Sequence, residues 1–545
     1  MSISSEDNYT IIRKKRSVRV FVGIYVPANL SYEHKACGER IFYLYHRLGI
    51  QSNVIVTATY DNPHEQLDEP LVLNALHRVV GAHPMMRMVG VVQRSPKNKD
   101  RHTLQIAMLH EIDLRNCVEF VDDPKGVGIT PALLERAHNE WEHTSDIPHR
   151  PLFKLFVVGN QDVMLVYHHM MADGISGYVF HREFLAALNT TSPPPDSNSS
   201  RSHIVRSDPN LEQVPKDWSL MPNESASRDK RWHPSLLQII LNQSSFFLAQ
   251  IFCSSGFIFS KLSSSRPYLK SVTGVADTAN RTVTAVVSGR ITAPQISTIL
   301  DACRKQGTTF TPLLMTMLML VMSTDYNSDA RIGSTRFALD MRPHLPLAAE
   351  ELGGGTRHGT IFNCTSGMAR ASRIRKYRSI AKDLNKLDIR SEKGAYDIDE
   401  VKLWELTRKY KQWMTAQTEP AVRAVRASIN MNSDLEHVLH RIMPFAGTVL
   451  SSTTLVSNLG MLHPGAAITP SSTSSSGTAW SISEVQFSAA ATNGLQGSQG
   501  PIFNVSGLKG GDTIINAVFE ESIISRDEVQ EILDTTIAKL VALVP

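Results

Sequence analysis

The sequence predicts an α/β protein built from two similar lobes, and three observations support this prediction. Its 545 residues are more than one hydrophobic core usually organises. Segments with the period of strands alternate with segments of helical period, and this alternation occurs in both halves of the chain. Between the halves, residues 191–228 are rich in Pro, Ser and Asn and have the composition of a linker. We expect an N-terminal lobe at residues 19–190, a crossover at 191–278 and a C-terminal lobe at 279–545.

The first lobe is predicted to end in a hairpin followed by a helix. Residues 152–158 and 162–167 are apolar and rich in β-branched side chains, and Gly, Asn and Gln separate them. Residues 178–188 have apolar side chains at helical spacing, so the stretch between the second strand and this helix is predicted to be a loop. The other elements expected in this lobe are helices at 71–80 and 131–143, a turn at 81–84, and strands at 104–110 and 118–121.

The second lobe repeats the alternation of strands and helices. Residues 313–322 are rich in Met and apolar on every side, which predicts a buried core helix rather than a cofactor-binding segment. The glycines at 353–355 lack the strand, Lys and Ser or Thr of a phosphate-binding loop and predict a flexible turn. Strands are expected at 282–287, 334–339, 453–456, 483–489, 502–506 and 513–519. Helices are expected at 293–305, 311–322, 371–386, 401–414, 422–441 and 528–543.

The predicted loop of the first lobe carries the most informative motif, His168-His169-Met-Met-Ala-Asp173-Gly174. Loops held on rigid elements often carry catalytic groups. A histidine, with an ordinary pKa of about 6.5, can take a proton from a weak nucleophile near neutral pH and return it to a leaving group. His169 is therefore the candidate general base. Asp173 is expected to fix the loop through an ion pair or backbone hydrogen bonds, and Gly174 is expected to allow a positive φ and close approach of a substrate.

The alternative interpretation of the motif is a strand end with a structural histidine whose hydrogen bonds are satisfied. With 20 His and 31 Gly in the chain, a chance match to His-His-X-X-X-Asp-Gly is expected on the order of once in a thousand chains. This rarity favours a catalytic role, and the motif suggests acyl transfer.

Composition excludes several classes of protein. Hydrophobic residues make up 42% of the chain and charged residues 20%, which excludes global disorder. A net charge of +4 gives no nucleic-acid footprint, and we expect the basic run at residues 13–16 to be a solvated tail rather than a nuclear or membrane address. Since no cluster of His, Cys, Asp or Glu has ligand spacing in the sequence, no metal is expected.

The cysteines are odd in number and scattered, which indicates reduced thiols in a cytosolic protein: Cys37, Cys117, Cys253, Cys303 and Cys364. The N-terminal sequence does not have the basic-then-apolar order of a signal peptide, so secretion is not expected. Cys303 and Cys364 have no identifiable His-bearing loop in the sequence, which makes a thiol nucleophile a weaker alternative to His169.

Residues 235–260 contain no charged side chain. The segment is just long enough to span a bilayer, but its Gln, Asn and Ser side chains make a span too costly in hydrocarbon. We expect it to pack against the protein, where it could cover the site or contact an apolar acceptor. The alternative is peripheral attachment to a membrane interface.

The sequence resembles the condensation-domain-like, acyl-CoA-dependent acyltransferase superfamily, which includes chloramphenicol acetyltransferase. The His-His motif carries this resemblance, and three further segments resemble the fungal alcohol acetyltransferase branch: residues 38–60, Asp340-Met-Arg-Pro343 and Ser457-Asn-Leu-Gly460. The Asp-Phe-Gly-Trp-Gly signature of the plant branch is absent, which moves the interpretation away from that branch. The resemblance implies an α/β fold of two chloramphenicol-acetyltransferase-like lobes that form a V around a central solvent tunnel.

The resemblance also implies a reaction. An acyl group, acetyl in the first place, would move from acyl-CoA as co-substrate to a small or secondary-metabolite alcohol, with no permanently bound cofactor. His169 would take the proton of the acceptor hydroxyl and then protonate the leaving thiolate. Asn458 and a backbone N–H near Gly174 are nominated as oxyanion donors, with a structural role at the lobe interface as the alternative for Asn458.

Two supporting roles complete the implied site. Arg342 is the implied ion-pair partner of Asp173, with ordinary surface pairing as the alternative. His168 is expected to pack or to bond its own backbone and to contribute little chemistry.

A second class of function stays open. Members of the superfamily also act on carrier-tethered thioesters or serve as non-catalytic condensation-like binding modules, although the intact motif argues against the non-catalytic version. The expected partners are the alcohol and acyl-CoA, without nucleic acid, for a monomeric cytoplasmic protein with peripheral membrane contact as the open alternative.

Overall fold

The fold is a mixed α/β architecture with one large sheet in each lobe, as the sequence predicts. The computed structural model describes residues 9–11, 37–94, 102–141, 150–190, 203–206, 256–259, 265–269, 275–344, 359, 361–382, 394–430, 452–464, 479–493 and 499–544.

The elements within these ranges have the following bounds. The strands are β1 Tyr9–Ile11, β2 Asn53–Asp61, β3 Met88–Arg94, β4 His102–Leu109, β5 Glu111–Asp113, β6 Val118–Val121, β7 Phe153–Val158, β8 Asp162–His168, β9 Ile204–Arg206, β10 Ala285–Ile291, β11 Ile332–Asp340, β12 Thr365–Arg373, β13 Thr454–Leu462, β14 Ser481–Ala489, β15 Ile502–Leu508 and β16 Thr513–Phe519. The α-helices are α1 Cys37–Arg47, α2 Glu69–Ala82, α3 Pro131–Asn139, α4 Gly174–Leu188, α5 Ala293–Lys305, α6 Phe310–Val321, α7 Arg375–Arg378, α8 Glu400–Asn430 and α9 Arg526–Ala542. Short 3₁₀ turns lie at Pro84–Arg87, Leu114–Cys117, Thr278–Asn280 and Arg342–His344, and a π-helical turn lies at Met322–Tyr326.

The first lobe is built on a five-stranded sheet in the order β14-β2-β8-β7-β6. Every residue of the central strand β8 is buried, as its nearly continuous apolar sequence requires. β7 and β8 pair antiparallel, so the predicted hairpin is confirmed. Its turn residues Gly159 and Asn160 have φ values of 58° and 56°, and both are residue types that tolerate the left-handed region. The hairpin carries His168 to the end of the sheet.

The second lobe is built on a six-stranded sheet in the order β10-β16-β15-β13-β11-β12. Helix α6 packs against α8 and α9 beside this sheet, and all its residues except Thr311 are buried. The prediction of a buried Met-rich core helix is therefore confirmed.

The C-terminal half of the chain also contributes to the first lobe. Strand β14 pairs antiparallel with β2, with Ser481 opposite Asp61 and Ala489 opposite Val54. Its alternating apolar residues lie in the same hydrophobic cluster as the core of the first lobe. The sequence predicts this strand but does not indicate which sheet it joins, because strand pairing between distant segments leaves no local pattern.

A smaller apolar cluster joins the two sheets. It contains Phe156 and Val166 from the first sheet and Val286, Ile502 and Val518 from the second. The burial of these side chains in one cluster holds the lobes against each other near α3.

The helix predicted at residues 371–386 is wrong over its described part, residues 371–382. β12 occupies the first part of that range and pairs along its whole length with β11, and the short helix α7 follows, while residues 383–386 lie outside the described ranges. β12 is an edge strand in which Met368 and Ser372 are buried while Ala369, Ala371 and Arg373 are exposed. Because the strand has so few large apolar residues, its alternation of buried and exposed positions is not visible in the sequence. Ala, Arg and Lys also have high helix propensity.

The two helices predicted at residues 401–414 and 422–441 form one helix as far as residue 430. Helix α8 continues through Pro420, and residues 431–441 lie outside the described ranges. Tyr410 of this helix belongs to the core cluster of the second lobe and Val422 to that of the first, so α8 also connects the lobes.

Several expectations concern residues outside the described ranges, namely the basic run at 13–16, the glycines at 353–355 and most of the segment at 235–260. The described end of that segment is packed, because Phe257, Ile258 and Phe259 are buried and the last two belong to the core of the second lobe. No single helix in the described ranges is long and apolar enough to cross a membrane. The helices Ala293–Lys305 and Phe310–Tyr326 meet the length and composition criteria only as a pair bent by 100°.

We expect the packing of α4 on β2 to be intolerant of a single added methyl group. A Cβ at Gly177 would lie 2.2 Å from Val56 Cγ2, so Gly177→Ala should lower the free energy of unfolding by about 1–3 kcal/mol through overpacking. The control is Gly81→Ala in α2, where a Cβ would meet nothing within 4 Å, and it should raise stability by up to about 1 kcal/mol. Denaturant melts of both variants measure the difference, and equal melts would contradict the close approach.

Candidate active site

The candidate site lies where β8 ends and α4 begins. β8 ends at His168, a turn follows, and Asp173 is the N-cap residue of α4. The Asp173 carboxylate accepts a hydrogen bond from Ser176 N at 3.0 Å, which satisfies one of the free N–H groups at the helix start. The motif loop is therefore held at one end by the central strand and at the other by a capped helix.

Asp173 and Arg342 form a two-point ion pair between the lobes. Arg342 Nη1 donates to Asp173 Oδ2 at 2.9 Å and Arg342 Nη2 donates to Asp173 Oδ1 at 3.0 Å. The side chains are only 1% and 6% exposed, so this is not a surface pair. Asp340 adds a second carboxylate to Arg342 at 3.0 Å. The structure thus places Arg342 against the motif's Asp, as the sequence resemblance implies.

The electrostatic state of this pair follows from its surroundings. Burial alone would raise the pKa of Asp173, but the charge and hydrogen bonds of Arg342, with the N–H groups of Cys364 and Ser176, hold it below its usual range. Burial would lower the pKa of Arg342, but the carboxylates of Asp173 and Asp340 raise it above its ordinary value. Both groups are therefore charged at neutral pH.

Residues 361–364, which precede β12, complete the interlobe contact. Cys364 N donates to Asp173 Oδ2 at 2.8 Å, and the Phe362 carbonyl accepts from Arg342 Nη2 at 2.7 Å. Ser176 Oγ lies 2.7 Å from the same carbonyl and accepts from Phe362 N at 3.1 Å and Arg342 Nη2 at 3.0 Å. This 361–364 segment and Ser176 were not indicated by the sequence, because no motif marks a loop that works through its backbone.

His169 is half-buried at the lobe interface and is held from two sides. The ring of Phe42, in α1, stacks on the imidazole with centroids 3.6 Å apart and planes 14° apart. Asn363 Nδ2 donates to the His169 carbonyl at 2.6 Å and lies 3.4 Å from His169 Nδ1. Nδ1 faces Asn363, which leaves Nε2 as the nitrogen that can face a substrate. Nε2 can accept a proton only when Nδ1 carries the ring hydrogen, and because Asn363 Nδ2 is also a donor, its 3.4 Å approach to Nδ1 is then a contact and not a hydrogen bond.

The imidazole of His169 is suited to accept a proton. Burial lowers its pKa below the ordinary value, and this effect exceeds the opposing effects of hydrogen bonds to the main chain at His169 and Ala172 and of the Asp173 charge. The ring is therefore neutral at neutral pH, the state that a general base requires.

His168 has a structural environment. Its side chain is buried, and its Nδ1 accepts a hydrogen bond from Met170 N at 2.9 Å. The His46 ring of α1 lies 4.5 Å away between centroids. Burial, followed by the proximity of His46 and His169, lowers its pKa well below the ordinary value. These contacts agree with the packing role expected for His168.

Gly174 differs from its expected conformation. It is absent from the residues with positive φ, and the close approach at this position comes from the protein itself. A Cβ at Gly174 would lie 2.6 Å from Leu459 Cδ2 and 3.1 Å from the ring of Phe487. The expectation of a left-handed residue is wrong, because the start of α4 packs against strands that the sequence could not place beside it.

Asn458 is engaged within its own lobe. Its Nδ2 donates to Thr311 Oγ1 at 2.9 Å and its Oδ1 accepts from Gly460 N at 2.8 Å. The Gly460 carbonyl in turn accepts from Tyr178 of α4 at 3.0 Å. These contacts favour the alternative role of Ser457-Asn-Leu-Gly460, which is to hold the lobe interface.

Cys117 and Cys303 are poor nucleophiles. Cys117, Cys303 and Cys364 are free and buried. Burial raises the pKa of Cys117 to about 12 and that of Cys303 to about 11, which leaves almost no thiolate at neutral pH. A thiol mechanism has no support from these residues.

The interlobe ion pair should couple strongly in a double-mutant cycle. Asp173→Asn and Arg342→Gln should each lower the free energy of unfolding by about 3–5 kcal/mol, because each leaves an uncompensated buried charge or donor. The double variant should lose less than the sum of the two, by about 0.5–3 kcal/mol. As a control, Glu119→Gln removes a partly exposed pair with Lys154 and should cost less than about 1 kcal/mol. Additive losses at Asp173 and Arg342 would show that the two residues act separately.

Comparisons with known proteins agree with the fold and with the class of acyltransferases. A family model described as alcohol acetyltransferase matches residues 131–364, a range that includes the His-His motif and Arg342. A curated relative, the probable alcohol acetyltransferase crmB of Aspergillus fumigatus, is 26% identical over 191 residues. That alignment covers 32% of this chain and 41% of the relative, so it spans less than half of the relative's length.

Solved structures share the fold at low sequence identity. The trichothecene 15-O-acetyltransferase of Fusarium sporotrichioides is similar with a TM-score of 0.63 and 14% identity, covering 94% of this chain and 96% of that one. The first condensation domain of the calcium-dependent antibiotic synthetase is similar with a TM-score of 0.52 and 10% identity, covering 94% and 97%. Taken together, the alcohol acetyltransferase match over residues 131–364 and the fold shared with these structures show that the chain is similar to the alcohol acetyltransferase-like proteins of the condensation-domain and chloramphenicol acetyltransferase-like group.

Proposed function

We propose that this protein transfers an acyl group, acetyl in the first place, from acyl-CoA to the hydroxyl of an alcohol, with His169 as the general base. The observation that carries the proposal is the placement of a neutral, half-buried His169 at the lobe interface, on a loop fixed by the Asp173–Arg342 pair. The alcohol acetyltransferase match over residues 131–364 supports the reaction class.

In the proposed reaction, one proton moves twice. Nε2 of His169 accepts the proton of the acceptor hydroxyl as the oxygen forms a bond to the thioester carbonyl carbon. The tetrahedral intermediate collapses by breaking the carbon–sulfur bond, and the leaving thiolate takes the proton from the imidazolium. The products are the ester and the free thiol of CoA, and no acyl-enzyme is formed.

The negative oxygen of the tetrahedral intermediate needs hydrogen-bond donors about 3 Å away. Asn458 is a weak candidate, since its amide already bonds Thr311 and Gly460. Backbone N–H groups of the motif loop near Gly174 stay our proposed donors. Asp173 contributes geometry rather than proton transfer, because its carboxylate is fully engaged by Arg342, Cys364 and the start of α4.

The proposed acceptor is a small alcohol or an alcohol of secondary metabolism. One structural relative is, by its name, a trichothecene O-acetyltransferase, and the curated relative is a probable alcohol acetyltransferase. The superfamily resemblance of the sequence keeps a carrier-tethered thioester as the second candidate donor.

Thiol release tests the proposal. Purified protein is mixed with short and long acyl-CoAs and a panel of simple and secondary-metabolite alcohols, and free thiol and ester are measured. We expect His169→Ala to lower kcat by about 100-fold to 10,000-fold, the usual contribution of a general base, with little effect on thermal stability. Near-normal turnover by this variant would remove His169 from its role.

His168→Ala is the matched control. It leaves the buried Met170 N–H without its partner and should lower the free energy of unfolding by about 1–3 kcal/mol, yet it should reduce kcat far less than His169→Ala. If no acyl-CoA releases thiol with any alcohol, the donor must be carrier-tethered or the protein is a binding module.

The pH dependence of kcat/KM gives an independent check. This parameter reports the base in the free enzyme, which must be neutral to act. Because the folded environment lowers the pKa of His169, activity should stay constant from pH 8 down past the ordinary value of about 6.5 and fall only below it. An acid limb above about pH 7 would contradict a desolvated His169 as the base.

A further inference from the structure

We infer that Asn363 is a positioning residue that fixes the imidazole of His169 and so makes the base dependent on docking of the two lobes. This inference rests on the proposed function, because it assumes that His169 is the reacting group. Asn363 belongs to neither the sequence motif nor the implied supporting residues.

Asn363 contacts His169 through its side-chain amide. A single amide nitrogen, Asn363 Nδ2, reaches both the backbone and the ring of His169, at 2.6 Å from the carbonyl oxygen and 3.4 Å from Nδ1. The Asn363 side chain is 6% exposed, so water does not compete freely for this amide. The bond to the carbonyl oxygen fixes the backbone of the loop at His169, and the amide packs against the Nδ1 edge of the ring without a hydrogen bond, because both nitrogens are donors when Nε2 is the base.

The 361–364 segment, which carries Asn363, is held on both sides of this residue. Its neighbours Phe362 and Cys364 are bonded to the motif loop and α4, Phe362 through Ser176 and Cys364 through Asp173. The bonds that hold Phe362 and Cys364 against the first lobe therefore also fix the position of the Asn363 amide. If the second lobe moves away, His169 loses this restraint.

One face of the His169 imidazole is covered by a residue of the first lobe. Phe42 stacks on the ring from α1, in the first lobe. With Asn363 on the Nδ1 edge and Phe42 on one face, the direction of Nε2 is set by two elements from different parts of the chain. A proton acceptor works in the plane of its ring, so fixing that plane fixes the direction in which the acceptor hydroxyl must approach.

The charges that face His169 are few. Among the described residues, the carboxylate of Asp173 is the charge that acts on it and the ring of His168 is a titratable neighbour, whereas Phe42 and Asn363 are neutral. A carboxylate at position 363 would thus be a new charge close to Nδ1. Its effect on the pKa of His169 depends on how close residue 363 lies to the imidazole. A residue that only stabilised the fold at a distance would not change this pKa.

The experiment is a titration that needs no substrate. Protein labelled at His ¹³Cε1 is titrated by NMR, and the His169 signal is assigned by its loss in His169→Gln. In Asn363→Asp we expect the pKa of His169 to rise by about 1 unit or more relative to the unaltered protein, because a carboxylate stabilises the imidazolium. An unchanged pKa would overturn the inference.

Kinetics supply the second readout. Asn363→Ala should lower kcat between about 10-fold and 100-fold with little change in the KM of the acyl donor, because the base is misplaced rather than the substrate site altered. Normal kcat in Asn363→Ala would also overturn the inference. This test remains decisive if Asn363→Asp does not fold.

Asn189→Asp and Asn189→Ala are the matched controls. Asn189 also bridges distant backbone with a partly buried amide, donating to the Trp480 carbonyl and accepting from Trp480 N at 2.8 Å. These variants should leave the pKa of His169 and kcat unchanged. Absence of thiol release by the unaltered protein would contradict the proposed function alone, since the titration still measures whether Asn363 acts on His169.

Discussion

The buried ion pair between Asp173 and Arg342 is the interaction on which the rest of the site depends. A carboxylate and a guanidinium lose several kcal/mol of hydration when buried, and their attraction offsets this cost only if the remaining hydrogen-bonding positions are filled. Here the Asp173 oxygens accept from Arg342, Cys364 N and the start of α4. The pair is stable only when the motif loop, α4, β11 and the 361–364 segment are all in place. One carboxylate thereby requires the lobes to be docked in one arrangement.

This requirement explains the division of labour within the doubled histidine. Consecutive residues at the end of a strand point to opposite sides, so one ring of a pair enters the core while the other faces the lobe interface. His168 is buried against α1 and bonds the turn that follows it, and His169 is half-buried with Nε2 directed away from Asn363. Burial depresses both pKa values, but only the ring of His169 lies at the lobe interface. The buried ring of His168 shapes the turn, and the turn sets the direction of the half-buried ring of His169.

Much of this could be predicted from the sequence, and the limits have physical causes. The hairpin was predictable because β7 and β8 are buried apolar runs around a Gly-Asn turn, and the pairing of Arg342 with Asp173 followed from the resemblance. β12 was missed because an exposed edge strand of Ala, Arg and Ser has no strong period. The 361–364 segment was missed because it acts through backbone N–H and carbonyl groups, which every residue has. Phe42 was missed because an aromatic residue at helical spacing indicates packing, and its partner is set only by the fold.

The same bonds that restrain His169, the proposed base, also relate the stability of the lobe interface to the proposed activity. Most of the groups around His169 belong to elements that meet only in the folded, docked state: α1 from the beginning of the chain, the motif loop from the first lobe, and the 361–364 segment from the second. The bonds to Asp173 offset the free-energy cost of burying Arg342, and their further effect is a fixed geometry at His169. Their net contribution to stability is small, because a well-packed apolar pair could stabilise the interface equally well. The ion pair differs from such an apolar pair in being directional. A two-point contact fixes the orientation of the 361–364 segment, which a non-directional apolar contact between the lobes would leave free to slide.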